Sequence, residues 1–227
     1  MQATGYKEAA RRKRMGSDWM KHGKDIFDPG TDAAAGMSHF GHLSAACTAF
    51  GNYPGIWFFC GGTALDLFVG RPIRTRHDID IGILRDEQDE LPKHFPGIKI
   101  VFVPEGGGRK LPWQGDRLTL PIHELYLELP GEHLEVLLNE ADETHWIYRR
   151  DARIKRDLSK AVLNNAQGVP YLAPEIVLLY KSKHMRERDI IDFDSTKPAL
   201  DAEQKAWLKA ALDDCYLGAH PWSQSLA

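Results

Sequence analysis

Asp78 and Asp80 stand two residues apart in the run Arg76-His77-Asp78-Ile79-Asp80-Ile81-Gly82-Ile83. Alternate residues of a strand share a face, so a strand here projects both carboxylates to one side and Ile79, Ile81 and Ile83 to the other. Two acids held side by side against an apolar backing repel each other unless a cation sits between them. Carboxylate oxygens are the ligands that Mg²⁺ prefers, which makes this pair a candidate metal site. The alternative is an exposed strand end carrying two solvated acids.

A second feature lies upstream. Trp57-Phe58-Phe59-Cys60 is an apolar run that ends in Gly61-Gly62-Thr63 and continues as Ala64-Leu65-Asp66-Leu67-Phe68-Val69. A strand that turns through two glycines into a helix leaves backbone N–H groups free at the helix start, a natural seat for phosphate. Most Gly-Gly turns are only turns. Here the turn precedes the carboxylate pair by a short connection holding Arg71, Arg74 and Arg76.

The pattern Gly-Gly, then Ala64, Asp66, Gly70-Arg71 and Arg74, followed by Asp78-Ile79-Asp80, resembles the nucleotidyltransferase superfamily with its polymerase-beta-like fold. In spacing it is most similar to the branch of aminoglycoside and lincosamide nucleotidyltransferases. One position departs: relatives often place a histidine two residues before the first metal aspartate, where this chain has Arg76. The resemblance implies an α+β fold, a small mixed β-sheet flanked by helices, with a C-terminal helical region.

It also implies a third acid from a neighbouring strand. In His133-Leu134-Glu135-Val136-Leu137-Leu138, Glu135 is an acid embedded in an apolar strand and faces away from Leu134 and Val136. Burying a carboxylate without a partner is costly, so Glu135 is the candidate, with Glu124 and Glu128 as substitutes. An edge strand with Glu135 in water is the rival. After Pro174, a segment apolar on nearly every side carries Lys181 and Lys183, and Arg188-Asp189-Ile190-Ile191-Asp192 follows. The resemblance implies that one of these lysines reaches a triphosphate, and helix geometry does not choose between them. Two lysines snorkelling to water is the plain alternative.

Taken together, the expected reaction is nucleotidyl transfer. Asp78 and Asp80 hold two Mg²⁺ ions, and Glu135 completes the second site or acts as general base. Gly61, Gly62 and Thr63 cradle the triphosphate of ATP or another NTP, with Arg74, Lys181 or Lys183 balancing its charge. A hydroxyl of a small molecule, such as an aminoglycoside-like antibiotic, attacks the α-phosphorus. The resemblance implies that Asp66 holds the arginine loop, an ordinary helix-surface ion pair being the alternative. Asp86, Glu87, Asp89 and Glu90 either help a polycationic acceptor or form a solvated helix face. Two alternatives remain: a toxin-type enzyme acting on tRNA or protein, and an inactive nucleotide-binding module. The basic cluster Arg11-Arg12-Lys13-Arg14 suits a tRNA acceptor or is a solvated arm.

The elements that must position these residues follow in order. Residues 1–38 read as an extension, 39–150 as the catalytic domain and 151–227 as helical. His39, His42 and Cys47 have loosely metal-like spacing without a fourth ligand and read as packing residues of a helix over 40–50. Strands are expected at Ile56 to Cys60, Ile98 to Val103, Glu124 to Leu129, Leu134 to Leu138 and Trp146 to Tyr148. Helices are expected at Thr63 to Val69, Arg85 to Leu91 up to Pro92, Ile154 to Leu163, Glu175 onward and Ala202 to Leu212. Pro104 to Arg109 reads as a glycine loop between strands, and Gly218 to Ala227 as a loose tail.

Composition limits the rest. The 227 residues are 43% hydrophobic and 27% charged with a formal net charge of −3, typical of a globular protein and unlike one that coats nucleic acid. Three scattered cysteines, Cys47, Cys60 and Cys215, form no disulfide framework or zinc site, which suits a reducing cytoplasm. No apolar run approaches the roughly 20 residues of a membrane span. There is also no Walker loop, so phosphate handling falls to the glycine turn and the acids.

Overall fold

The computed structural model describes residues 43–129 and 132–226. The basic cluster at 11–14, His39 and His42 lie outside them. A short helix α1 (Ser44–Phe50) leads into the core strand β1 (Trp57–Phe59), whose three residues are all buried. The Gly-Gly turn opens helix α2 (Gly61–Val69), stopped by Gly70 in the left-handed conformation with its N–H on the Asp66 carbonyl. Strand β2 (Asp80–Leu84) follows, then a 3₁₀ segment (Arg85–Glu90) and α3 (Leu91–His94), where Pro92 sits in the first turn instead of ending a helix.

The sheet is completed by β3 (Lys99–Phe102), β4 (Leu111–Pro112), β5 (Glu124–Leu129) and the long β6 (Glu132–Ala141). Then come β7 (His145–Ile147), β8 (Lys155–Asp157), α4 (Leu158–Ala161), β9 (Val162–Asn164) and β10 (Pro170–Leu172). The main path runs β4-β3-β5-β6-β2-β1-β10-β9, with β7 on β6 and β8 on β7. The pairs β2–β6 and β1–β10 are parallel and the rest antiparallel, so the sheet is mixed. Gly106, Gly107 and Gly108, all at positive φ, connect β3 to β4 as the expected turn between strands.

Past β10 the chain is helical: α5 (Pro174–Lys181), α6 (Glu187–Thr196), α7 (Ala202–Tyr216) and α8 (Pro221–Ser225). The helix expected over Ile154 to Leu163 is instead two short strands around one helical turn, because Ile154, Arg156 and Leu158 alternate inward as a strand requires. The all-helical part therefore begins at Pro174, since β9 and β10 complete the main sheet. The tail is structured as far as Leu226. His220 caps α8 by accepting from the Trp222 N–H, and Trp222 stacks on Phe193 with ring centroids 4.2 Å apart.

One continuous apolar core joins both halves. Phe50, Phe58, Phe59, Leu65, Ile81 and Ile83 meet Val136, Leu138, Trp146 and the buried side of α5. Ile81 and Ile83 point into this core, which turns Asp80 to the other face of β2. Among the described residues no helix is long and apolar enough to cross a membrane.

Candidate active site

The glycines of α2 serve close approach. Gly61 adopts φ +56°, and a Cβ there would overlap the Asp80 carboxylate and stand 3.1 Å from its Cγ. A Cβ on Gly62 would lie 2.7 Å from Arg76 Nε. The turn therefore makes room for a carboxylate and a guanidinium of this chain at the mouth of the cavity. Cys60, just before it, donates its backbone N–H to the Asp80 carbonyl at 2.8 Å and fixes β2 against β1.

Strand register supplies the second acid. Asp80 pairs with Glu135 across the parallel β2–β6 ladder, so the two carboxylates rise from adjacent strands on one face. Tyr126 stands opposite Glu135 on the other side, from β5. Asp78 lies two residues before β2, exposed, and still lines the same cavity as Asp80 and Glu135. Glu124 is a fourth acid there, hydrogen-bonded by Tyr126 Oη at 3.2 Å and 3.1 Å from His123 Nε2. Glu128 shares that face of β5 but lies further along the strand, outside the cavity, and pairs with Lys99.

The cavity holds about 280 Å³. Its floor includes Cys60, Leu137, Asn139 and Leu172, and α5 walls it with Val177, Tyr180 and Lys181. Burial and then the charge of Asp78 push the Asp80 carboxyl up to about 6, against the pull of Lys181 and Arg76. Burial followed by the charges of Asp80, Glu124 and Asp78 raises Glu135 to about 7. Each rise comes first from burial and then from neighbouring negative charge that the nearby cations only partly offset.

The donors are oxygen-only and anionic, so their chemistry fits a hard divalent ion. As the side chains stand, no three His, Cys, Asp or Glu groups among the described residues converge tightly enough to hold a metal ion. Asp78, Asp80 and Glu135 share one cavity without forming a closed ligand set.

The basic loop is clipped in place by buried ion pairs. Asp66 accepts from the Ile73 N–H at 3.0 Å and from Arg76 Nε and Nη2 at 2.8 and 2.6 Å, the loop-holding role expected for it. Asp192, fully buried, accepts from Arg76 Nη1 at 3.0 Å and from Arg74 Nε and Nη2 at 3.1 Å each. Lys181 reaches Asp192 at 2.8 Å and Asp189 at 3.1 Å. The Arg188-to-Asp192 stretch thus anchors the arginine loop and Lys181, a role the resemblance did not supply. Burial alone would raise the Asp192 carboxyl, but the Arg74 hydrogen bonds and the Lys181 charge outweigh it and hold it below the ordinary value.

Several expected residues fall elsewhere. Lys181 lines the cavity, whereas Lys183 is exposed and does not. Thr63 is buried within α2 and its side chain does not line the cavity. The acids of the 3₁₀ segment also lie away from it. Asp86 pairs with Arg117, Asp89 and Glu90 with Lys93, and Glu87 accepts from the Ile56 N–H. Arg149 and Arg150 do line the cavity and were not singled out from sequence. Their one signal is a double arginine directly after the apolar Trp146-Ile147-Tyr148 strand.

This architecture is the nucleotidyltransferase fold. The chain superposes on the antibiotic-resistance factor ANT(2'')-Ia in solution with a TM-score of 0.50 and 17% identity, covering 82% of this chain and 95% of that one. The crystal structure of ANT(2'')-Ia in complex with adenylyl-2''-tobramycin gives 0.53 and 13%, over 78% and 99%. The lincomycin-bound lincosamide antibiotic adenylyltransferase LnuA gives 0.50 and 16%, over 70% and 97%. At such identities the likeness is one of fold. No family model and no curated protein matches the sequence.

Proposed function

We propose that this protein is an enzyme that moves a nucleoside monophosphate from an NTP, ATP being the first to test, onto a hydroxyl of a small molecule. The observation that carries the reading is the direct pairing of Asp80 with Glu135 at the mouth of a cavity shared with Asp78 and Gly61. Asp78, Asp80 and Glu135 would hold Mg²⁺, which when bound offsets the charge of the triphosphate and of the crowded carboxylates. Solved structures of the same fold include one bound to adenylyl-2''-tobramycin and one bound to lincomycin, which supports a small hydroxyl-bearing acceptor.

The chain's own groups then have distinct tasks. Lys181, steadied by Asp189 and Asp192, offers its ammonium to the phosphates beside Asp80. The first N–H groups of α2 lie at the same mouth. Glu135, beside Asp80 on the adjacent strand, is the group placed to take the proton of the attacking hydroxyl where it does not itself ligate the ion. The hydroxyl oxygen bonds to the α-phosphorus, the bond to the bridging oxygen breaks, and pyrophosphate leaves. Catalysis is mainly positioning and electrostatics.

Pyrophosphate release from ATP, followed with and without Mg²⁺ across aminoglycoside, lincosamide and simple polyol acceptors and with tRNA, tests the reading. A tRNA-specific signal would move it to the toxin-type alternative. A protein that binds ATP and releases no pyrophosphate on any acceptor would be the inactive binding module.

A further inference from the structure

The cations that line the cavity, Arg188 of α6 among them, are not all held alike. Arg74, Arg76, Lys181 and Arg186 are matched to Asp66, Asp189 and Asp192. Arg149 and Arg150 are held otherwise. The Arg149 guanidinium lies 5.6 Å from the Tyr180 ring centre, and Arg150 lies 5.2 Å from the same ring and 5.9 Å from Tyr148. Arg150 Nη1 donates to Tyr148 Oη and to the Tyr180 carbonyl, each at 3.2 Å. Among the described residues no carboxylate stands within ion-pair distance of either guanidinium.

Arg149 is half-buried, and burial lowers its proton affinity. A guanidinium withdrawn from water without a carboxylate is costly, and aromatic faces recover part of that cost. The nearby acid, Glu124, attracts Arg149 only from beyond ion-pair distance and is directly engaged by His123 and Tyr126. This wall therefore presents a surplus of positive charge in a rigid fork suited to planar or tetrahedral anions. The acids outside the cavity that could have drawn a polycation are tied to Arg117 and Lys93.

We propose that Arg149 and Arg150 form the acceptor subsite and that the acceptor is a hydroxyl compound bearing an anionic group, a phosphate or a carboxylate, in contrast to a polycation. The inference rests on the transfer reading and supplies its substrate class. The same balanced step applies, with the anion held by the arginine wall while the hydroxyl faces Glu135.

The test compares glycerol, glycerol 3-phosphate, glycerate and tobramycin as acceptors with Mg²⁺ and ATP, in wild type and Arg149→Gln. Glycerol 3-phosphate or glycerate should exceed glycerol at least tenfold in kcat/KM, and the better of the two identifies the anion. Arg149→Gln should raise the KM for that acceptor about tenfold and leave the KM for ATP within twofold. Calorimetry of the same compounds without nucleotide reads the subsite apart from turnover, and wild type should bind the anionic acceptor more tightly than the variant. Preference for tobramycin or glycerol, a raised KM for ATP in place of acceptor, or equal anion binding by both proteins would overturn the proposal. If no acceptor is turned over, the calorimetric arm still decides it, and only the transfer reading fails.

Discussion

Replacing Gly61 by alanine separates a carboxylate that must sit in one place from a turn that merely reverses the chain. The added methyl would overlap Asp80 Oδ2 and lie 3.1 Å from Cγ, while the backbone there has φ +56°. A side chain in the left-handed region costs about 1–2 kcal/mol. For a chain of this size that lowers Tm by about 2–8 °C. The larger effect is positional. The carboxylate has to swing away by roughly an ångström, and a misplacement of that order costs about 10²-fold in rate. Gly70 is the matched control, because it has φ +78° and nothing within 4 Å of an added Cβ. Gly70→Ala should lose similar stability and keep its turnover. Thermal unfolding and pyrophosphate release on the two variants give both numbers. Equal activity in Gly61→Ala and Gly70→Ala would refute the reasoning, for it would mean that Asp80 does not need its position against the turn.

Other consequences can be checked in the same preparations. Asp192→Asn leaves three cations short of their shared carboxylate and should cost about 3–5 kcal/mol in urea unfolding, as removal of one partner of a buried pair does. Its carboxyl is held low in the fold, so the stability it contributes is present above the ordinary carboxylate range and lost as pH falls through and below it; Asp192→Asn should flatten the acid limb of the stability profile. Asp80 and Glu135 behave oppositely. Their carboxyls are raised from the ordinary range to about 6 and about 7, so without a divalent cation stability should fall as pH rises from about 4 to about 7 and level off above, by on the order of 3 kcal/mol, and Asp80→Asn should reduce the slope. Lys181→Ala should lower kcat/KM for ATP by 10²-fold or more, while Lys183→Ala should change it less than twofold, read from initial rates.

Much of the site was legible because it is local. Asp78 and Asp80 declared themselves by spacing, and the glycine turn by its place after an apolar strand. Glu135 stands out in sequence by its isolation in an apolar run, but its register against Asp80 is a long-range fact that no spacing encodes. The same limit hid Asp192, whose partners Arg74 and Arg76 lie more than a hundred residues upstream. Ile154 to Leu163 was misjudged because three short pieces, each too brief to show its own period, together mimic one amphipathic helix. The tail looked loose since its order depends on Trp222 finding Phe193, which belongs to α6. Lys181 and Lys183 were not separable from helix geometry; the choice became visible only through the acids of α6.

The most direct test of the whole account is a crystal structure with Mg²⁺ and a non-hydrolysable ATP analogue. The account predicts metal held by Asp78 and Asp80, with Glu135 facing it and the triphosphate lying between the start of α2 and Lys181. Nucleotide seated elsewhere on the molecule, or a metal that touches neither aspartate, would contradict it.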